Sequence, residues 1–143
     1  MKKKILVVDN HPVILKYMTH LLEKHGHQVK TAGDGLSALD ILMTFIPHVM
    51  FIDLVMPNID GEQLCRIIHE MPSLKDTYTV ILSATIAENS RDFKELSADA
   101  FIIKGPFDQM EKHVLAAIEQ SDRNGSMDAS DKIMGSKGVF NGR

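Results

Sequence analysis

Five short apolar runs punctuate the chain: KILVVD (4–9), HQVKTA (27–32), HVMFID (48–53), YTVILSA (78–84) and DAFIIK (99–104). Each has the length of a strand. The segments between them carry apolar residues at helical spacing instead. Over 12–24, Val13, Ile14, Tyr17, Met18, Leu21 and Leu22 form a one-sided stripe, and Gly26 follows where a left-handed residue can end a helix. Leu36, Leu39, Leu42 and Met43 repeat the pattern over 36–45, ahead of Pro47. Asp60-Gly-Glu-Gln63 has the form of a capping box and opens a helix through Leu64, Ile67 and Ile68. Thr85-Ile-Ala-Glu88 offers a second such start, for a more polar helix running to about Leu96. Phe107, Met110, Val114, Leu115 and Ile118 mark a last helix over 107–119.

Strand and helix therefore alternate five times, which implies parallel strands joined by right-handed helical crossovers. The centres of the first, third and fourth runs (VV, VMFI, VIL) are apolar on both faces, as expected of strands buried between two helical layers. An all-β reading fails on the helical periods of the intervening segments. The fold class is α/β and doubly wound, with a domain over residues 1–120. Residues 121–143 differ in kind: they hold four of the nine glycines, little apolar material and no visible period. They read as a flexible tail or an appended extension, with a docking peptide around Ile133-Met134 or Val139-Phe140 as the functional alternative. No second domain is expected.

Composition narrows the function. The 143 residues suit one domain with one core, at 44% hydrophobic and 24% charged. A net charge of −3 argues against a nucleic-acid surface, which needs a basic excess on one face. The single cysteine, Cys65, forms no internal disulfide and points to a reducing compartment. MKKKILVVDN lacks the apolar length of a signal peptide, and no run is long enough to span a membrane. The expectation is a soluble, cytoplasmic protein with no membrane association.

In an open parallel sheet, ligands bind beyond the carboxyl ends of the strands. The predicted strands end in Asp9-Asn10, Asp53, Ser83 and Lys104. Two carboxylates, an amide, a hydroxyl and an ammonium would thus meet on one rim. Carboxylate and carbonyl oxygens suit Mg²⁺. A carboxylate can attack phosphorus, and a lysine and a hydroxyl can stabilise the charge on the transferring oxygens.

At these residues the chain resembles a known family. KILVVDN, DLVMPNIDG (53–61), LSA (82–84) and FIIK (101–104) make residues 3–120 similar to the receiver domain of response regulators, the phosphoacceptor module of two-component signalling, as in single-domain chemotaxis regulators. The resemblance implies a five-stranded flavodoxin-like sheet in the order 2-1-3-4-5. It implies Asp53 as phosphoacceptor, with Asp9, Asn10, Asp53 and the backbone carbonyl of Val55 around Mg²⁺. Ser83 would be the switch hydroxyl, Lys104 the lysine that pairs with the phosphoryl group, and Phe101 the aromatic switch. A histidine kinase or phosphotransfer protein would supply the phosphoryl group. An unidentified downstream protein would read the face of the fourth helix, fifth strand and fifth helix, with homodimerisation on activation left open. Such a domain is a stoichiometric switch that catalyses its own phosphorylation and dephosphorylation, not a turnover enzyme.

Two departures stand out. Asn10 occupies a position usually acidic in the family, which predicts weaker metal binding. Lys104-Gly105-Pro106 replaces the usual Lys-Pro, so the glycine should alter the following loop and could displace the lysine. Val55 and Thr85 sit two residues beyond Asp53 and Ser83, where the family tunes loss of the phosphoryl group. Val55 has no polar group to steer water, which predicts a long-lived phospho-form.

Plainer readings exist for most of these residues. Asn10 would serve as a helix N-cap ahead of Pro12. Phe101 suits the core, and Cys65 a buried helix position. His20, His25 and His27 lie away from the rim, and no HExxH or CxxC pattern occurs. A phosphatase would carry a second carboxylate where Val55 stands, and a flavin protein a Gly-rich loop where Asn10-His11-Pro12 stands. The rival of a different class is a phosphorylation-independent adaptor built on a weakened metal site.

Overall fold

The computed structural model describes residues 2–84, 97–123 and 133–134. Five parallel strands, β1 (Lys4–Val8), β2 (Gln28–Ala32), β3 (Val49–Asp53), β4 (Tyr78–Ser83) and β5 (Ala100–Ile103), lie in the order β2-β1-β3-β4-β5. Alternate residues of each strand point to opposite faces, so the sheet has two cores. Leu6, Val8, Met50, Ile52, Ile81 and Phe101 face Ala38 of α2 (Gly35–Ile41) and Leu64, Cys65 and Ile68 of α3 (Gly61–His69). Ile5, Val7, Val49, Phe51, Val80, Leu82 and Ile102 face Met18, Leu21 and Leu22 of α1 (Pro12–Lys24) and Met110, Val114 and Ile118 of α4 (Phe107–Arg123). Burial on both sides explains the unbroken apolar runs. β2, at the edge, keeps a mostly exposed pattern.

The order of elements matches the sequence reading, with four differences. The helix predicted over 36–45 spans only Gly35–Ile41, capped by the Asp34 carboxylate accepting from Ser37 N, and Leu36 and Met43 are exposed. Three consecutive turns at its end leave Met43 outside the predicted stripe. Asn10 is not the cap of α1; His11 holds that position and makes no side-chain capping bond. The last helix runs to Arg123, beyond the predicted boundary at 120, and its Asp122 pairs with Lys3 ahead of β1. That ion pair ties the end of the helix to the first strand. Finally, Ile133–Met134 form a short sixth strand, β6, parallel to β5. The helix predicted over 85–96 lies outside the described residues.

The capping box is present as predicted: Asp60 accepts from Gln63 N, and the Gln63 side chain accepts from Asp60 N. Gly61 follows because the start of α3 backs onto the end of β3. A Cβ there would sit 2.5 Å from the Asp53 carbonyl oxygen and 2.9 Å from Leu54 Cα. Asn58 makes the turn between them at φ 69°, a left-handed conformation that asparagine tolerates better than most residues.

Candidate functional site

β1 and β3 are neighbours, and β4 and β5 follow on the same side. Their carboxyl ends therefore bring Asp9, Asp53, Ser83 and Lys104 to one rim. The register aligns Asp53 with Leu82 and Ser83 with Ile103, while Lys104 N donates to the Ser83 carbonyl at 2.6 Å. Asp9, Asp53 and Ser83 are all buried.

Lys104 joins the two carboxylates. Its Nζ lies 2.8 Å from Asp9 Oδ2 and 3.1 Å from Asp53 Oδ1. The glycine that follows leaves the lysine within reach of both carboxylates. Gly105 has open space around its Cβ position, and α4 begins at Phe107. The Phe107 ring stacks on Tyr17 of α1, whose hydroxyl donates to the Phe107 carbonyl at 2.8 Å.

Burial raises the Asp53 pKa above the usual carboxylate range, and the Asp9 charge raises it further. Lys104 and the Val55 backbone N–H act in the opposite sense. One cation serves two buried anions, and Asp53 Oδ2 accepts no hydrogen bond. An orphaned carboxylate oxygen beside a second carboxylate fits a divalent cation, which would supply the missing positive charge.

A residue the sequence reading passed over also enters the site. His11 Nδ1 lies 2.9 Å from Asp9 Oδ1 and 3.7 Å from Asp53 Oδ2, and the His11 backbone N–H donates to Asp9 Oδ1 at 2.8 Å. Asp9, His11 and Asp53 are the group of His, Cys, Asp and Glu side chains, among the described residues, whose ligand atoms gather closely enough to hold a metal. The available signal was its place two residues beyond Asp9, at the turn from β1 into α1. Asn10 is exposed on that turn, Val55 is exposed beyond Asp53, and Phe101 is buried in the core shared with α3. Thr85 lies outside the described residues.

A parallel sheet with two buried carboxylates and a lysine on its carboxyl rim defines a phosphoryl-transfer signalling module. The family model for the response regulator receiver domain matches residues 5–117, and the chain belongs to that family. Protein PilG of Pseudomonas aeruginosa is 36% identical over 81 residues, covering 57% of this chain and 60% of that protein. The alkaline phosphatase synthesis transcriptional regulatory protein PhoP of Bacillus subtilis is 33% identical over 114 residues, covering 78% and 45%. The chain spans about half the length of the curated relatives it matches. Among solved structures, the receiver domain of a signal transduction histidine kinase from Syntrophus aciditrophicus superposes with a TM-score of 0.71 at 29% identity, over 87% of this chain and 96% of that one. TrrA of Thermotoga maritima, solved in complex with Mg²⁺ and BeF, gives 0.68 at 28% identity, over 80% and 98%. This is thus a receiver domain of the two-component response regulators. Such domains are phosphoacceptor switches that take phosphoryl groups from histidine kinases and bind Mg²⁺ at the phosphorylation site. Among the described residues no helix is long and apolar enough to cross a membrane.

Proposed function

We propose that Asp53 is the phosphoacceptor, served by Lys104 and Ser83, with Asp9, Asn10, Asp53 and the Val55 carbonyl as the residues that would hold Mg²⁺. The observation that carries this is the Lys104 ammonium held between two buried carboxylates, at 2.8 and 3.1 Å. When bound, the cation would offset the negative charge of the incoming phosphoryl group.

An Asp53 carboxylate oxygen attacks phosphorus, and a new O–P bond forms as the bond to the donor breaks. The donor nitrogen of a phosphohistidine keeps the electron pair and takes a proton. Lys104 then stands beside phosphoryl oxygens as well as carboxylates, and its charge stabilises the transferred group. Ser83, at the end of the neighbouring strand, is the hydroxyl that would turn to donate to it. Phe101 follows on β5, one strand over. A downstream protein reads the resulting change on the face that includes β5 and α4. A histidine kinase or phosphotransfer protein of the cytoplasm is the donor. The domain catalyses its own phosphorylation and dephosphorylation, and residues beyond α4 form an extension to it.

The test is incubation with acetyl phosphate and Mg²⁺, followed by intact mass. A single phosphoryl adduct on the wild type, absent from Asp53→Asn, is expected. No adduct on the wild type would instead favour an adaptor that works without phosphorylation. Followed over time, the adduct should outlast that of Val55→Asn, because Val55 gives an attacking water no hydrogen-bond partner; equal lifetimes would remove this role from Val55.

A further inference from the structure

The rim offers a cation an unusual set of side chains. Its second acidic position is filled by an uncharged amide, Asn10, on the exposed turn. The third ionisable ligand near Asp9 and Asp53 is a nitrogen, His11 Nδ1, and the ligand atoms of the three lie within 4.8 Å of one another. His11 Nδ1 stands 2.9 Å from Asp9 Oδ1 and 3.7 Å from Asp53 Oδ2, close to the spacing of neighbouring ligands on one ion at about 2.0–2.2 Å. The His11 side chain is 60% exposed and free to adjust, whereas the two aspartates are fixed by burial. Asp53 Oδ2, 3.7 Å from His11 Nδ1, is buried and accepts no hydrogen bond.

We propose that His11 makes this a mixed nitrogen–oxygen site, in which Asp9, Asp53 and His11 Nδ1 select a first-row transition-metal ion over Mg²⁺. The inference rests on the reading of the Asp9–Asp53 rim as the cation site. Carboxylates alone suit Mg²⁺, while imidazole suits Zn²⁺, Ni²⁺, Fe²⁺ and Cu²⁺, and affinity rises along the first-row series. The ligating form is the neutral ring with its proton at Nε2, which leaves the Nδ1 lone pair for the ion. Asp9 Oδ1 keeps the His11 backbone N–H as its donor, so ligation does not strip that oxygen of its hydrogen bond. Lys104 Nζ, 2.8 Å from Asp9 Oδ2 and 3.5 Å from His11 Nδ1, would have to draw back toward Asp9 Oδ2 and Asp53 Oδ1 as the ion enters.

Co²⁺ is the probe, since its visible absorption reports nitrogen ligation. Titrations with Co²⁺ and with Mg²⁺ are compared for the wild type, His11→Ala, His11→Asp and Asp53→Asn, with far-UV circular dichroism confirming that each is folded. One Co²⁺ should bind the wild type with a spectrum that is lost in Asp53→Asn. His11→Ala should weaken Co²⁺ at least tenfold while changing Mg²⁺ less than threefold. His11→Asp should move the preference back toward Mg²⁺. A Co²⁺ affinity that falls less than threefold in His11→Ala, or falls by the same factor as Mg²⁺, overturns the proposal. So does a spectrum that survives Asp53→Asn, which would assign the ion to other histidines. The acetyl phosphate adduct, measured with Mg²⁺ on the same wild-type sample, keeps the two readings separate. An adduct without His11-dependent selectivity overturns the mixed site and leaves the acceptor role standing. Selectivity without an adduct supports the mixed site and removes that role.

Discussion

Replacing Lys104 with methionine preserves most of the aliphatic packing and removes only the charge. Lys104 sits between Asp9 Oδ2 at 2.8 Å and Asp53 Oδ1 at 3.1 Å, and the side chains of all three are largely shielded, at 13%, 0% and 4% exposed. Removing one partner of a buried ion pair costs about 3–5 kcal/mol, because the remaining charge stays desolvated. Two carboxylates would be stranded here, but the loss is limited because Asp53 can take up a proton. Its pKa is already raised by burial and by Asp9, and loss of Lys104 raises it further. The low end of the range, about 3 kcal/mol, is therefore expected. For a domain of this size that is a fall in Tm of about 10 °C. The pH dependence has a definite sign. A carboxylate whose folded pKa lies above its unfolded value penalises folding when ionised, and the penalty is relieved as pH falls through the folded pKa. Lys104→Met should thus approach the wild type as the buffer is acidified from neutrality. Adding Asp53→Asn to Lys104→Met should recover about 2 kcal/mol, since the like-charge repulsion is then gone. Urea unfolding followed by circular dichroism, at low salt and without divalent cations, measures all three proteins. A Lys104→Met stability within about 1 kcal/mol of the wild type at neutral pH, or no recovery in the double variant, would refute the view that Lys104 holds together two buried anions.

Three further outcomes are expected. Gly61→Ala places a Cβ 2.5 Å from the Asp53 carbonyl oxygen and should cost about 2–3 kcal/mol in urea unfolding, the scale of overpacking a tight site. Gly105→Ala meets no neighbour and should leave stability unchanged or raise it by about 0.5 kcal/mol, so a fall in Tm would show that the inserted glycine is structurally required. His27 accepts the Lys3 backbone N–H at Nδ1, and burial, followed by the nearby N-terminal, His25 and Lys3 charges, holds its pKa below the usual imidazole value. Its contribution is then complete above about pH 6.5 and is lost as pH falls through the depressed folded pKa. A stability–pH profile of His27→Gln should be flatter below that point, and an unaltered slope would rule His27 out as the source.

The strands were legible because burial on both faces writes a continuous apolar run, and helix α1 because its stripe, its proline start and Gly26 all agree. The rim residues were legible because they end those runs. What escaped the sequence was set by contacts distant along the chain or by weak local signals. The true length of α2 depended on turns after Ile41 that no period reveals. Ile133–Met134 form a strand only because β5 offers an edge for them, two residues being too few to show alternation. Nothing in the sequence singled out His11, and only the pairing of β1 beside β3 brings it to Asp53. Whether the inserted glycine would shift Lys104 was also beyond the local sequence: the Lys104 backbone bonds to Ser83, a residue of the neighbouring strand.

At the opposite end of the sheet, two imidazoles imitate backbone carbonyls. Lys3 N donates to His27 Nδ1 while Gln28 N donates to the Lys3 carbonyl, and Lys4 N donates to His48 Nδ1 while His48 N donates to the Lys4 carbonyl. Tyr78 N continues the row to the His48 carbonyl at 2.9 Å. β1 is thereby stitched to the chain entering β2 and β3, and β3 to β4, one rung before the strands begin. The sheet is built like a fan whose ribs are riveted at the handle. The rim that carries Asp9, Asp53 and Lys104 lies at the other end of the same ribs.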